Sequence, residues 1–183
     1  MTILVDMDDT IELLLQAWVS RANQKYGRNV SVDEITGWNV AEPYPGITKE
    51  EIYKVLYEPG FWKSVEPMPG AAEALKHFMD EGHEVYIVTA TEIEHVQEKM
   101  NCLLFRYFPF LSWQQVIITG RKQMVRGDVL IDDGIHNLEG GDYMKILFSA
   151  PHNRNYDAEK NGMIRVRTWD EIVRIIDGMD QPL

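Results

Sequence analysis

Five short apolar runs, at residues 3–5, 85–88, 116–118, 129–131 and 146–148, limit what this chain can fold into. None alternates apolar with polar residues, and most are rich in β-branched side chains. That pattern belongs to strands covered on both faces, which are typically parallel ones. A weaker sixth run lies at 164–166. Between the runs stand segments with helical spacing: 71–81, followed by Gly82; 92–106, long and amphipathic; and 169–176, preceded by Thr168 as an N-cap. Strands alternating with helices predict an α/β fold built on a doubly wound parallel sheet.

One segment breaks this alternation. Residues 12–66 contain no strand-like run; they offer a helical run from about 13 to 26, the turn-rich AEPYPGIT at 41–48, a second helical run near 49–56, and EPGFW at 58–62. This is too long for a simple crossover between two strands. Residues 13–66 are therefore expected to form a small helical cap inserted after the first strand, over a core made of 1–12 and 67–183. Trp18, Trp38, Tyr44, Phe61 and Trp62 all fall within the cap. Such rings can fill its small core, yet at least one is expected to face a ligand, and Trp38, Phe61 and Trp62 are the candidates.

The net charge of −11 argues against a nucleic-acid polymer as partner, since phosphate backbones require a surplus of Lys and Arg. A small anionic ligand remains compatible if cations are concentrated locally. A single cysteine, Cys102, excludes an internal disulfide and agrees with a reducing compartment. The first residues lack a basic stretch, and no uncharged apolar run is long enough to cross a bilayer. The expectation is a cytoplasmic protein with no membrane partner.

In open α/β sheets, ligands bind beyond the carboxyl ends of the strands, so the residues following each apolar run belong together. After 3–5 come Asp6, Asp8, Asp9 and Thr10; after 85–88, Thr89, Ala90 and Thr91; after 116–118, Thr119, Gly120, Arg121 and Lys122; after 129–131, Asp132 and Asp133. Four strand ends thus bring carboxylates, hydroxyls and cations to one edge. Aspartate oxygens are hard ligands, and Mg²⁺ typically takes one or two carboxylates together with water and phosphate. Asp6 and Asp132 suit that role. A carboxylate can also attack phosphorus, and a second acid nearby can protonate the leaving oxygen and then activate water. In an extended chain Asp6 and Asp8 project to the same side, their Cα atoms ~6.6 Å apart. Thr89 and Lys122 are placed to bind phosphoryl oxygens. Structural roles compete at each position: Asp8 or Asp9 can cap the following helix, Thr89 can be a loop hydroxyl, and Asp133 can support the site without binding metal directly. His136 and Asn137 read as capping a short helix. The scattered histidines show no zinc spacing, and His152 lies in APHNRNY at 150–156, a polar loop that could close over the site but reads better as a surface turn.

These motifs resemble those of the haloacid dehalogenase-like (HAD) phosphohydrolases. DMDDT at 6–10 is similar to the family's first motif, VTAT at 88–91 to its second, Lys122 to its third-motif lysine, and LIDDG at 130–134 to its acidic fourth motif. The step from Lys122 to Asp132, with EPMPGAAEALKHF at 66–78 as the return from cap to core, most resembles the 5'(3')-deoxyribonucleotidase branch. The resemblance implies a Rossmann-like core with a helical cap and a Mg²⁺-dependent phosphomonoesterase working through an aspartyl-phosphate. Asp6 is then the nucleophile and a metal ligand. Asp8 is the general acid/base, with its carbonyl also on the metal, and Asp132 is a metal ligand supported by Asp133. Thr89, Ala90 and Lys122 would hold the phosphoryl group. Two positions depart from the branch. Ala90 stands where a second hydroxyl is expected, with Thr91 one further on, and Gly134 stands where an Arg is frequent. Both bear on the choice of substrate.

The implied substrate is a small phosphorylated metabolite, a nucleoside monophosphate. A phosphatase for another small metabolite shares the chemistry and differs in the cap. A non-catalytic receiver-like module also gathers acids, a Thr and a Lys around Mg²⁺, but it lacks the long insertion, and it has an acid pair at the first strand with a lone Asp at the third in place of a D-x-D motif. A binding protein with a decayed site is disfavoured because each expected position is filled.

Overall fold

A computed structural model describes residues 1–179. Six strands, β1 (Thr2–Val5), β2 (Glu84–Thr89), β3 (Val116–Ile118), β4 (Val129–Asp132), β5 (Met144–Phe148) and β6 (Ile164–Val166), form one sheet in the order β3-β2-β1-β4-β5-β6. All five pairings are parallel, with Val5 opposite Ile87 on one side and Ile131 on the other. The order reverses direction at β1, and that switch point is where ligands bind in doubly wound sheets. The α/β, Rossmann-like expectation is met.

The apolar runs are strands because both faces of the sheet are covered. Along β1, Ile3 and Val5 pack into one cluster and Leu4 into another on the opposite face. Helices α3 (Ala71–Asp80) and α7 (Trp169–Met179) cover the first face with Leu75, Phe78, Trp169 and Ile172. The cap of α7 is the expected one, with Thr168 Oγ1 accepting from the Glu171 amide at 3.3 Å. The short helix α6 (Ile135–Leu138) lies on the other face.

The segment expected to be one amphipathic helix from 92 to 106 is interrupted. It runs as α4 (Ile93–Lys99), a π-turn over Met100–Leu104, and α5 (Phe105–Tyr107). Residues between β1 and α3 form α1 (Leu14–Tyr26), α2 (Lys49–Tyr53) and 3₁₀ turns. Thr48 and Glu51 make a capping box that starts α2, and Gly27, with φ of 60°, ends α1. Trp18, Tyr44, Ile52 and Phe61 from this segment belong to the same contiguous apolar cluster as β1 and α3. Among the described residues no helix is long and apolar enough to cross a membrane.

Candidate active site

The strand ends converge as their sequence suggests. Asp6 follows β1, and its amide donates to the Ile131 carbonyl at 2.8 Å, so the chain stays in sheet register as it leaves the strand. Asp132 ends the neighbouring β4. Lys122, in the turn after β3, is 2% exposed and inserts between them. Its Nζ donates to Asp6 and, at 2.7 Å, to Asp132 Oδ2. The other Asp132 oxygen accepts from the Gly134 amide at 2.7 Å and from Asn137 Nδ2 at 3.0 Å. A Cβ on Gly134 would sit 2.9 Å from that oxygen and 2.7 Å from Asn137 Nδ2, so a side chain there makes Asp132 or Asn137 shift. An arginine in its place would displace this pair.

Asp6, Asp132 and Asp133 each present an oxygen, and these oxygens lie within 4.8 Å of one another. Burial, reinforced by Asp132, Asp133 and Asp8, pushes the Asp6 carboxyl well up despite the pull of Lys122. Burial and Asp132 do the same to Asp133. Burial would lower the Lys122 ammonium, but Asp6 and Asp132 outweigh it and hold it above the usual lysine range. Counting Asp8, Asp9 and Glu12, the carboxyl groups gathered here outnumber the two lysines, Lys99 and Lys122, that reach them. Hard, crowded oxygens short of positive charge are the donor chemistry a divalent cation satisfies, so Asp6, Asp132 and Asp133 fit a metal site.

Asp8 lines the cavity above this cluster, and its carboxylate is paired with Lys99 of α4. Asp9 takes the structural alternative: its Oδ1 accepts from the Leu15 amide at 2.9 Å and anchors the start of α1. Its φ of 53° is left-handed, a conformation aspartate tolerates better than most residues. Burial and Asp133 raise its carboxyl to about 8. Thr89 is fully buried, with its hydroxyl 2.9 Å from that of Thr91, and Ala90 forms the cavity wall at this strand end.

The cavity, ≈ 230 Å³, lies between the strand ends and residues 14–53, walled by Leu14, Trp18, Ile35, Trp38 and Tyr53. A second, ≈ 400 Å³, shares Asp8, Leu14, Trp18, Tyr53 and Ala90 and adds Trp62, His95 and Lys99. Of the candidate rings, Trp38 is half exposed and faces the first cavity, and Trp62 borders the second. Phe61 is completely buried against Trp62 in the apolar cluster and borders neither cavity.

His152 is not a surface turn. Its side chain is 5% exposed, with Nε2 3.0 Å from Asp133 Oδ2 and its ring 4.3 Å from that of Trp38. The loop is held by Asn153, whose Nδ2 donates to the carbonyls of Asp133 and Phe148 at 2.9 and 2.7 Å. Arg165 braces it further by donating to Asn153 and to the Tyr156 carbonyl. His136 and Asn137 also line the cavity. Lys99 and Glu12 carried no local signal in the sequence, since each reads as an ordinary charge beside a helix.

The profile of the family described as 5' nucleotidase, deoxy (pyrimidine), cytosolic type C matches residues 1–180. The chain is 36% identical over 175 residues to a 5'(3')-deoxyribonucleotidase of Bacillus subtilis strain 168, covering 94% of this chain and 96% of that protein. It is 33% identical over 178 residues to a 5'(3')-deoxyribonucleotidase of Clostridium acetobutylicum, covering 97% and 96%. In fold it is similar to a HAD family hydrolase from Deinococcus radiodurans, solved with phosphate and sodium, at a TM-score of 0.66 and 16% identity over 97% of this chain and 95% of that one. With this match along nearly its whole length, the chain belongs to the family of 5' nucleotidase, deoxy (pyrimidine), cytosolic type C proteins.

Proposed function

We propose that this chain is a Mg²⁺-dependent 5'(3')-deoxyribonucleotidase that cleaves nucleoside monophosphates through a phosphorylated Asp6. Family membership makes it a hydrolase of phosphoric monoesters, which sets aside the receiver-like alternative. The observation carrying the finer reading is the convergence of Asp6, Asp132, Asp133 and Lys122 beneath a cavity walled by Trp18, Trp38 and Tyr53.

In this reading Asp6, Asp132 and the Asp8 carbonyl would hold the cation, with Asp133 in support, and Mg²⁺ bound by them would offset the charge of the phosphoryl oxygens. Lys122, with Thr89 and the backbone at Ala90, holds the same oxygens. The Asp6 carboxylate attacks phosphorus as the bond to the ester oxygen breaks, and Asp8, in the protonated form in which each turnover leaves it, passes its proton to that oxygen, freeing the alcohol. Water then attacks the phosphorus and gives a proton to Asp8. The Asp6–phosphorus bond breaks, phosphate leaves, and both carboxyl groups are restored. Residues 13–66 act as the cap, with Trp38 against the base and the walls excluding water. The setting we infer is cytoplasmic.

The test is a panel of phosphate esters with purified protein and Mg²⁺. Turnover is expected on deoxynucleoside monophosphates and lost in Asp6→Asn. No turnover on any ester, with Asp6→Asn matching wild type, would sink the mechanism. Preference for sugar phosphates or phosphoglycolate would overturn only the substrate.

A further inference from the structure

Lys99 lies on α4, outside the strand-end motifs, yet only 1% of it is exposed. Its ammonium is bonded to Asp8, lies 3.9 Å from Glu12 Oε1, and stands 5.2 Å from the centre of the Trp62 ring. Glu12 is 1% exposed, its carboxyl is hydrogen-bonded to that of Asp8, and burial together with the Asp8 charge pushes it well up. The α-helix ends at Lys99 and widens into the π-turn at Met100–Leu104; such bulges are frequent at functional sites. A lysine here gives up its hydration for one partially exposed carboxylate and one buried carboxyl, an expensive arrangement for stability alone. The Asp8 side chain, 36% exposed, has one side held by Lys99 and lines both cavities.

We propose that Lys99 is a positioning residue for Asp8: it fixes the carboxyl group in the orientation that delivers a proton to the leaving oxygen and takes one from water. Glu12 and Trp62 hold the ammonium in place. The inference rests on the reading of Asp8 as the general acid/base.

The leaving group separates this role from a structural one. A deoxynucleoside leaves as an alkoxide that needs the proton; nitrophenolate, from p-nitrophenyl phosphate, leaves without it. In Lys99→Met, kcat/KM for the deoxynucleotide is expected to fall by at least about tenfold and by no more than the roughly 10²–10⁴ that general acid–base catalysis supplies, and kcat/KM for the nitrophenyl ester to stay within about threefold. Because the water step also needs Asp8, the variant should release a rapid burst of nitrophenolate before a slow steady rate. Equal losses on both esters, or no loss on either, overturn the proposal. If Lys99→Met does not fold, Lys99→Met/Glu12→Gln, which leaves no stranded buried carboxylate, replaces it. A double variant with the wild-type ratio between esters means that Lys99 serves only to neutralise Glu12, and the proposal fails. Asp8→Asn is run beside them. If it separates the esters and the Lys99 variants do not, the positioning role alone is refuted; if Asp8→Asn does not separate them, the acid/base reading falls and takes the positioning role with it.

Discussion

If Trp38 stacks the base as proposed, replacing it with alanine should separate recognition of the base from recognition of the phosphate. The ring is 54% exposed, lines the cavity, and rests on His136 and His152 at centroid distances of 5.0 and 4.3 Å. Stacking of a base on an aromatic ring is worth about 1–3 kcal/mol, and about 1.4 kcal/mol is a factor of ten. Affinity for a free deoxynucleoside, read as its inhibition constant, should weaken about 5- to 150-fold in Trp38→Ala. In the proposed reading inorganic phosphate is held at the strand ends, away from this ring, so its inhibition constant should stay within about twofold, a negligible change on the scale of a factor of ten per 1.4 kcal/mol. The fold should tolerate the change. Half the ring is already in water, and ring-to-ring contacts of this kind contribute about 0.5–1.5 kcal/mol beyond their area, so a denaturant melt should show a loss under about 2 kcal/mol. Equal weakening of nucleoside and phosphate, or an unchanged nucleoside constant with a larger loss of stability, would mean that Trp38 is a packing residue and the base lies elsewhere.

Gly134→Ala pushes a methyl against Asp132 and Asn137, and should weaken Mg²⁺ activation about 10- to 100-fold in a metal titration; unchanged activation would show that this contact does not orient Asp132. Stripping the metal with a chelator should weaken phosphate binding by roughly two orders of magnitude, since the cation contributes several kcal/mol to holding the anion, and equal affinity with and without chelator would contradict a cation at the site. Because Asp9 has a φ of 53°, Asp9→Gly should be more stable than Asp9→Ala by about 1 kcal/mol in paired denaturant melts. The lost cap is common to both variants, and an alanine variant of equal stability would contradict the left-handed turn. The bond from His77 to Asp177 at 2.9 Å raises the imidazole above its ordinary value. Its stabilising effect, under about 1 kcal/mol for an exposed pair, is complete below the unfolded value of about 6.5 and fades as the pH rises through the folded one; a wild-type-minus-His77→Gln difference that grows with pH would refute the pairing.

The sheet was legible because each strand is covered on both faces, which removes polar residues from runs such as 85–88 and 129–131. Asp6, Lys122 and Asp132 were legible because strand ends in such a sheet share one edge. Lys99 was not, since its partner lies 91 positions away and an amphipathic helix ordinarily sends its lysines to water. His152 was hidden similarly: a polar turn reads as surface unless one sees Asn153 and Arg165 pinning it beneath Trp38. Phe61 and Trp38 are both aromatic residues of the insertion, and only burial distinguishes the packed ring from the available one.

The shared apolar cluster binds the insertion to the sheet in another way. Trp18 donates to the Ile52 carbonyl at 2.9 Å within the insertion, while Trp169 of the last helix donates to the Thr10 carbonyl at 3.0 Å just before it. Neither part has a dry interior without the other, because Trp18, Ile52 and Phe61 complete the packing that Ile3, Val5 and Phe78 begin. Two lobes that melt independently would show two transitions; this shared packing predicts a single transition, in which the walls of the cavity are lost together with the strands that present Asp6 and Asp132.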